Sequence, residues 1–337
     1  MADMIFMYTP NTVPRHKLSM FLPEDHVVEL FDPNKIYSNS TVFYHDMYGN
    51  FHDMIPEQLS RGHRIVFDAK NEHYLNNHLY WVLYRFLQHP GQGCFIISGH
   101  EPDPLPGVEI IATPYWYWIM DQFNFRGTGL DQQVRNFNIA HRFFMAISLP
   151  RPERDFLYDE LGKDLLAQSI HSYRSRGVHL PNDRTDLSIW QRYVNPEWID
   201  STAFSLVVET YMDPTALSGL SLTRHNDWFL CEKSYKPCAA QHPFIMASTQ
   251  GNLAYLRSQG FETFPELFDE SYDNIPDWQA RVRCIVQQVR EIDIRAVDQP
   301  QVREKIRHNH ALFFDQAVTR THAESSIQQP LMRFVNA

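Results

Sequence analysis

The stretch RFFMAISLPRPERDFLYDELGKDLLAQ, residues 142–168, predicts a strand followed directly by a helix. Its first eight residues are mainly apolar, a run typical of a parallel strand that is buried on both faces. Pro152 fits the first turn of a helix because its ring fixes φ at a helical value. The apolar face of that helix consists of Phe156, Leu157, Leu161 and Leu165. A buried strand that leads into an amphipathic helix indicates an α/β fold.

Charged side chains stand at the carboxyl end of this strand and of a second predicted strand. Arg151 and Arg154 come directly after residues 142–149, and Glu209 stands near the end of FSLVVET, residues 204–210. Because the carboxyl ends of parallel strands lie at one edge of a sheet, we expect these charges to face one crevice. Helix starts at such an edge bind anions, since their backbone N–H groups point outward.

A third group of charges lies in FLCEKSYKPCAAQHPFIMAS, residues 229–248. This stretch predicts a helix over residues 232–240 and then an apolar strand. Glu232, Lys233 and Lys236 stand at or near the start of that helix. All these charges together are either one anion-binding crevice or ordinary solvated ends of helices and strands.

The N-terminal half shows a strand, helix, strand pattern of its own. Candidate strands occupy residues 65–67, 94–99 and 108–113, and a helical apolar face lies between the first two. Pro90 and Gly91 end that helix. This order of elements predicts a parallel sheet. The chain of 337 residues is long for a single core, so two α/β domains are expected.

The composition excludes several classes of protein. The formal net charge is −10 at pH 7 with no long run of Lys or Arg, so attraction to duplex DNA or anionic lipid is not expected. The four cysteines form no CxxC pair and have no zinc-ligand spacing, which indicates free thiols of a reducing compartment. No stretch has the apolar length of a membrane span, and the N-terminus lacks a secretory signal pattern. We expect a cytoplasmic protein.

The remaining segments carry weaker signals. Residues 115–138, with YWYW and FNFRGTG, are aromatic and poorly periodic, and we interpret them as a linker or lid. YWYW is either buried core at a domain edge or a surface on which an acceptor stacks. Two helices follow Pro276, and the second begins after Pro300. The HNH segment at residues 308–310 is a poor metal pair, because residues two apart on a helix point to different sides.

Several motifs occur in one order along the second half: RPER, VVET, CEKSYKP with AQHPFIMAS, LAYLRSQGFETF and DESYD. Over residues 142–273 this combination resembles the C-terminal donor-binding half of GT-B glycosyltransferases. It looks most like the fucosyltransferase-type pattern with T-E-K at a helix start. It is similar, more closely still, to uncharacterised viral and bacterial glycosyltransferase-like proteins with E-K-x-x-K-P. Cys231 stands where the fucosyltransferase pattern has Thr.

The resemblance implies a GT-B fold, in which two Rossmann-like domains face a cleft. Residues 1–138 would form the acceptor-side domain and residues 139–299 the donor domain. Residues 300–337 would either cross back to the first domain or only cover the second sheet. The implied reaction transfers a sugar from a GDP- or UDP-sugar to an unidentified glycan, protein or modified-base acceptor. For a viral protein the expected location is the host cytoplasm.

The resemblance also implies roles for single residues. The donor-binding group is Arg151, Arg154, Glu209, Glu232, Lys233 and Lys236. Arg154 and Lys233 would contact phosphate, and Glu232 would accept hydrogen bonds from the ribose hydroxyls. Lys236 would either reach phosphate or face solvent. Cations at the leaving diphosphate replace a metal in such a site, so no metal and no cofactor other than the donor substrate is expected.

An inverting enzyme of this kind needs a base in its N-terminal half to deprotonate the acceptor hydroxyl. The candidates are Asp68, Glu72, His100 and Glu101, at predicted strand ends or in the loops after them. A retaining mechanism needs no such base, so the stereochemistry stays open. The rival functions are another nucleotide-dependent transferase or epimerase, and a non-catalytic nucleotide- or glycan-binding module with a degenerate donor pocket.

Overall fold

The computed structural model of the protein divides into two units. The residues it describes are 4–8, 28–30, 41–44, 51–68, 77–98, 105–113, 135, 138–180, 195–213, 230–315, 317–318, 321 and 324–336. One unit comprises Met1–Pro114, Leu220–Arg224 and Gln316–Ala337, and the other comprises Tyr115–Gly219 and His225–Asp315. A parallel sheet lies in each unit.

The sheet of the first unit has six parallel strands. They are β1 (Met4–Tyr8), β2 (Val28–Leu30), β3 (Thr41–Tyr44), β4 (Arg64–Asp68), β5 (Gly93–Ser98) and β6 (Val108–Thr113). Their order across the sheet is β2-β3-β1-β4-β5-β6. The direction of winding reverses between β1 and β4, where Tyr8 and Asp68 are partners at the carboxyl ends of the strands.

Helices α1 (Phe51–Ser60) and α2 (Asn77–Gln88) pack on this sheet. In α2, Val82 and Phe86 lie four residues apart on a buried face. Phe86 lies directly over Gly93 of β5, where an added Cβ would come within 2.1 Å of the phenyl ring. The glycine thus makes room for Phe86, which contacts Phe95 with 5.0 Å between ring centroids.

The sheet of the second unit has four parallel strands. They are β7 (His141–Ile147), β8 (Ser169–Tyr173), β9 (Thr202–Val208) and β10 (Phe244–Ala247). Their order across the sheet is β10-β9-β7-β8. The chain adds β8 on one side of β7, then returns to add β9 and β10 on the other side. In open α/β sheets such a reversal marks the crevice where ligands bind, which here corresponds to the carboxyl ends of β7 and β9 and the loops that follow them.

Helices cover this second sheet. Within the described residues they are α3 (Pro152–Leu166), α4 (Pro196–Asp200), α5 (Glu232–Ala239), α6 (Asn252–Ser258), α7 (Trp278–Glu291) and α8 (Pro300–Phe314). Helix α3 packs against α7, and α5 packs against α8. Helix α7 buries Val282, Ile285 and Val289, which recur at helical spacing. Across the described ranges, no helix is both long and apolar enough to cross a membrane.

The end of the chain divides between the two units. Helix α8 groups with the second unit, whereas Gln316–Ala337 groups with the first. There a π-helical turn (Glu324–Gln328) and helix α9 (Gln329–Asn336) contact β6. Arg64 of β4 donates a hydrogen bond to the carbonyl of Phe334 at 2.6 Å. Whether residues 300–337 cross back to the first domain or only cover the second sheet stays a prediction.

The predicted α/β class is confirmed, because both sheets are parallel and helices connect their strands. The strands predicted over residues 65–67, 94–99 and 108–113 correspond to β4, β5 and β6. The short strands β1, β2 and β3 and the edge strand β8 were not predicted. The linker or lid predicted over residues 115–138 lies outside the described residues, except at Arg135 and residues beyond 137.

A buried histidine links the segment before β10 to β9. His242 is 2% exposed, and its Nε2 lies 3.0 Å from the Thr202 carbonyl oxygen. Because that carbonyl can only accept, Nε2 carries the hydrogen, and Nδ1 accepts the Ser205 hydroxyl at 2.7 Å. Burial and the nearby guanidinium of Arg135 lower the pKa of His242 well below its ordinary value. The ring is therefore neutral in the folded protein at neutral pH.

This neutral histidine predicts a loss of stability in mild acid. In the unfolded chain His242 has an ordinary pKa of about 6.5 and binds a proton below that pH, whereas in the folded chain it does not. The free energy of unfolding is therefore at its full value above about pH 6.5 and decreases as the pH falls below it. At pH 5.5 the contribution of His242 to this loss should be about 1.4 kcal/mol relative to pH 7.5. Urea denaturation of the wild type and of His242→Gln at both pH values isolates the contribution. If both proteins lose the same amount, the assigned state of His242 is wrong.

Candidate functional site

Two helix starts approach one loop at the carboxyl edge of the second sheet. Arg151 is the extended residue before α3, with φ −151 and ψ 149, and its guanidinium lies 4.5 Å from the ring centroid of Tyr211. Lys233 lies in the first turn of α5, and its Nζ is 3.4 Å from Oγ1 of Thr210. Thr210 and Tyr211 come just after β9 in the sequence. Cations from α3 and α5 therefore flank the same dipeptide at the reversal of the sheet.

The carboxylate of Glu209 joins the end of β9 to the start of α5. Glu209 is 0% exposed. Its Oε1 accepts the backbone N–H of Cys231 at 3.0 Å and the hydroxyl of Ser234. Its Oε2 accepts the backbone N–H of Thr210 at 3.0 Å and the thiol of Cys231 at 2.9 Å. A buried carboxylate with four donors is satisfied inside the protein, so Glu209 supports the helix start instead of offering oxygens to a ligand.

Lys233 and Glu232 form a partly exposed ion pair. Their Nζ and Oε1 atoms are 3.3 Å apart, and Lys233 also donates to Sγ of Cys231 at 3.0 Å. Burial raises the pKa of Glu232, but the ammonium groups of Lys233 and Lys236 lower it more strongly, to about 2. Burial lowers the pKa of Lys233, but the Cys231 and Glu232 side chains raise it above its ordinary value. Both members of the pair are charged at neutral pH.

Lys236 adds a third cation one turn further along α5. Its side chain is half-buried. Burial lowers the pKa of Lys236, Glu232 raises it and Lys233 lowers it, with the result near 8. Lys236 therefore loses part of its charge just above neutral pH, and an anion bound beside it would restore that charge. Because cations outnumber carboxylates in this group, the helix start favours an anionic ligand.

Arg154 ties together the two strand ends that flank the crevice. Its guanidinium is buried, and Nε and Nη2 both donate to the carbonyl of Glu209 at 3.2 Å. Nη1 donates to the carbonyl of Leu149 at 3.0 Å. Burial lowers the pKa of Arg154, and the neighbouring charge of Arg151 adds to this effect. Arg154 thus contacts backbone carbonyls where the family resemblance implies a phosphate contact, and the half-buried Arg151 is the more accessible of the two.

Other buried arginines serve the same edge and the opposite edge of the sheet. Arg281 of α7 donates to the carbonyls of Ser248, after β10, at 3.0 Å and Met212, after β9, at 2.6 Å. Arg135 donates to the carbonyl of Thr202, at the start of β9, at 2.5 Å. Arg281 thus supplies donors to carbonyls in the loops after β9 and β10, and Arg135 supplies one to the carbonyl at the start of β9. The loops around the crevice are therefore held by side chains that do not belong to the crevice itself.

The candidate bases fall into two groups. Asp68 is the last residue of β4, at the carboxyl edge and at the reversal point of the first sheet. Glu72, His100 and Glu101 lie outside the described residues. Asp68 thus occupies a position in its own unit equivalent to that of the loops after β7 and β9 in the second unit.

Four residues of the site are not among those predicted from the sequence: Thr210, Tyr211, Cys231 and Ser234. The position of Thr210 and Tyr211 directly after an apolar strand is a signal that could have found them. Nothing local identifies Cys231 and Ser234 as partners of Glu209, because they follow it by 22 and 25 positions. The sequence places each charge at the end of an element, but it does not show which charges turn toward one another.

Comparisons of the chain with protein-family models, with curated proteins and with solved structures found no match. Among the residues that the structure describes, no three or more His, Cys, Asp or Glu side chains are grouped to hold a metal ion. In the HNH segment, Nε2 of His308 lies 2.8 Å from the Gly260 carbonyl oxygen. At the crevice, cationic donors stand beside a partly exposed carboxylate, which suits a phosphorylated ligand that also carries hydroxyl groups.

The different roles of the two arginines predict different effects on stability. Arg154→Met should lower the free energy of unfolding by about 3 kcal/mol, because the buried carbonyl of Glu209 and the part-buried carbonyl of Leu149 lose their donors. Arg151→Met should cost less than about 1 kcal/mol, since it removes a half-buried cation–π contact. Urea denaturation of both variants measures the difference. Equal losses would contradict the assignment of Arg154 to strand-end support.

Proposed function

We propose that the protein is a glycosyltransferase of GT-B type, which moves a sugar from a nucleotide-sugar to an acceptor hydroxyl. In this proposal the donor diphosphate binds at the carboxyl edge of the second sheet. The observation that carries it is the approach of Arg151 and Lys233, from two helix starts, to Thr210 and Tyr211 at the reversal of the sheet. Parallel α/β sheets bind ligands at such reversal points.

The chemistry of the crevice supports a diphosphate. Helix starts carry partial positive charge, and cations held there stabilise the negative charge that grows on a leaving diphosphate. Arg151 offers a planar pair of donors to phosphate oxygens, and Lys233 offers a point charge. The contacts of Lys233 to Glu232 at 3.3 Å and to Thr210 at 3.4 Å are long for charged hydrogen bonds. Exchange of these contacts for phosphate oxygens should therefore cost little.

The remaining residues take separate roles in this proposal. Glu232, released from Lys233 by the phosphate, accepts hydrogen bonds from the ribose of a GDP- or UDP-sugar. Lys236 contributes a third cation. Glu209 and Arg154 keep the two loops in place instead of contacting the donor, which revises the roles that the resemblance implied for them.

The acceptor side belongs to the first unit in this proposal. Asp68 is the candidate base supported by its place at the carboxyl edge of the first sheet, while Glu72, His100 and Glu101 stay predictions. The two Rossmann-like domains would face each other across a cleft. The acceptor is a glycan, a protein or a modified base, and the proposed location is the cytoplasm.

A non-catalytic nucleotide-binding module is the second candidate. It is favoured by the observation that the ammonium of Lys233 already has Cys231, Glu232 and Thr210 as protein partners. In addition, Cys231 stands where the fucosyltransferase pattern has Thr. Turnover separates the two candidates. A protein that binds UDP or GDP but neither transfers nor hydrolyses any nucleotide-sugar is a module.

The diphosphate assignment predicts a selective loss in one lysine variant. Lys233→Ala should weaken binding of UDP and GDP by at least about tenfold, the usual value of a hydrogen bond to a charged group. The thermal midpoint should change little, because Lys233 is partly exposed. Calorimetric titration measures the affinity, and Lys163→Ala, an exposed lysine of α3, is the matched control. Unchanged affinity in Lys233→Ala would refute the assignment.

The same cations predict that turnover is independent of metal. Arginine and lysine supply the charge that a divalent cation supplies in metal-dependent transferases. Addition of EDTA to purified protein should therefore leave the rate of sugar transfer, or of donor hydrolysis, unchanged. A rate abolished by EDTA and restored by manganese or magnesium would contradict this mechanism.

A further inference from the structure

A directed chain of hydrogen bonds leads from the interior to Lys233. A carboxylate can only accept hydrogen bonds, and an ammonium can only donate them. The thiol of Cys231, with a carboxylate oxygen of Glu209 at 2.9 Å and Nζ of Lys233 at 3.0 Å, therefore donates to the first and accepts from the second. The direction of both bonds is fixed by the two charged ends of the chain.

We propose that Glu209 is a positioning residue, which acts through Cys231 to hold the ammonium of Lys233 in place for an anionic ligand. This inference rests on the function proposed above, in which Lys233 contacts the donor diphosphate. Glu209 orients the hydrogen of the thiol toward the interior, and the sulfur lone pairs then face Lys233. Without Glu209 the thiol hydrogen is free to point at the ammonium, which repels it.

Such positioning has a physical advantage. A lysine side chain has four rotatable bonds, and ordering it on binding opposes affinity. A chain that holds the ammonium before the ligand arrives removes part of that entropy loss, and it places the charge without reorganisation during reaction. Glu209 also holds the backbone N–H groups of Thr210 and Cys231 at 3.0 Å each, so one carboxylate sets the loop, the helix start and the cation together.

Helix α5 offers a control for general loss of packing. Cys238 lies in the last turn of α5, Cys231 is the residue just before its first turn, and both are buried, at 1% and 5% exposure. Substitution of either cysteine by Ala removes one sulfur atom from a buried position. Only Cys231 contacts Lys233 and Glu209. A difference between the two Ala variants therefore reports the hydrogen-bond chain, and a shared effect reports packing.

Calorimetric titration with inorganic pyrophosphate tests the proposal, with the thermal midpoint of each variant recorded in parallel. Cys231→Ala should weaken pyrophosphate binding by about fivefold to tenfold, because the chain to Lys233 is cut. Cys231→Ser should recover most of this loss, since a hydroxyl can donate to Glu209 and accept from Lys233. Cys238→Ala should keep the affinity within about twofold while it lowers the thermal midpoint.

The outcomes separate this proposal from the function on which it rests. Equal affinities of Cys231→Ala and Cys238→Ala, or no recovery with Ser, would overturn the positioning role of Glu209 while Lys233→Ala still loses affinity. If Lys233→Ala itself binds pyrophosphate like the wild type, the proposed function fails as well. Glu209→Gln, if it folds, should match the affinity loss of Cys231→Ala, because an amide cannot accept all four donors. Affinity as in the wild type would equally overturn the proposal.

Discussion

Backbone carbonyls that leave a sheet without a partner are the constraint on which the second unit depends. Hydrogen bonding between strands stops where the loops at the carboxyl edge begin. Loop carbonyls that are shielded from water therefore need hydrogen-bond donors from elsewhere in the protein. Arg154 and Arg281 supply these donors from α3 and α7, and at the opposite edge Arg135 donates to the carbonyl at the start of β9. A guanidinium suits this task because it has five donors in one plane and stays charged when buried. The positions of Thr210 and Tyr211 follow from these bonds.

In each of two pairs of like-charged residues, one member is buried and bonded within the protein, and the other is partly exposed. Glu209 is buried with four donors, whereas Glu232 is only partly buried and bonded to Lys233. Arg154 is committed to carbonyls, whereas Arg151 lies half-buried on Tyr211. The interior pair satisfies the backbone, and the outer pair keeps its charge near solvent. A site arranged in this way can bind and release an anion without disturbing the sheet.

The sequence predicts the elements of this unit better than it predicts the roles of their side chains. Long apolar runs identify β7 and β9, because parallel strands are buried on both faces, but β8 reads SIHSY and is an edge strand without such a run. Arg151 and Arg154 look alike in RPER. Arg151 and Arg154 are three positions apart at the start of α3, and this spacing is enough to direct Arg154 into the interior and leave Arg151 partly exposed. Cys231 follows Glu209 by 22 positions in the chain, and no local periodicity encodes the contact between them.

The reversal of the second sheet also governs when the crevice comes into being during folding. Strands β7 and β9 pair although β8 lies between them in the sequence, and Arg151 meets Tyr211 only once that pairing is made. Contacts between residues so distant in the chain form late, because loop closure costs entropy before it gains contacts. A ligand that needs both residues recognises only a nearly native chain. Its presence should therefore slow unfolding and leave the rate of folding unchanged.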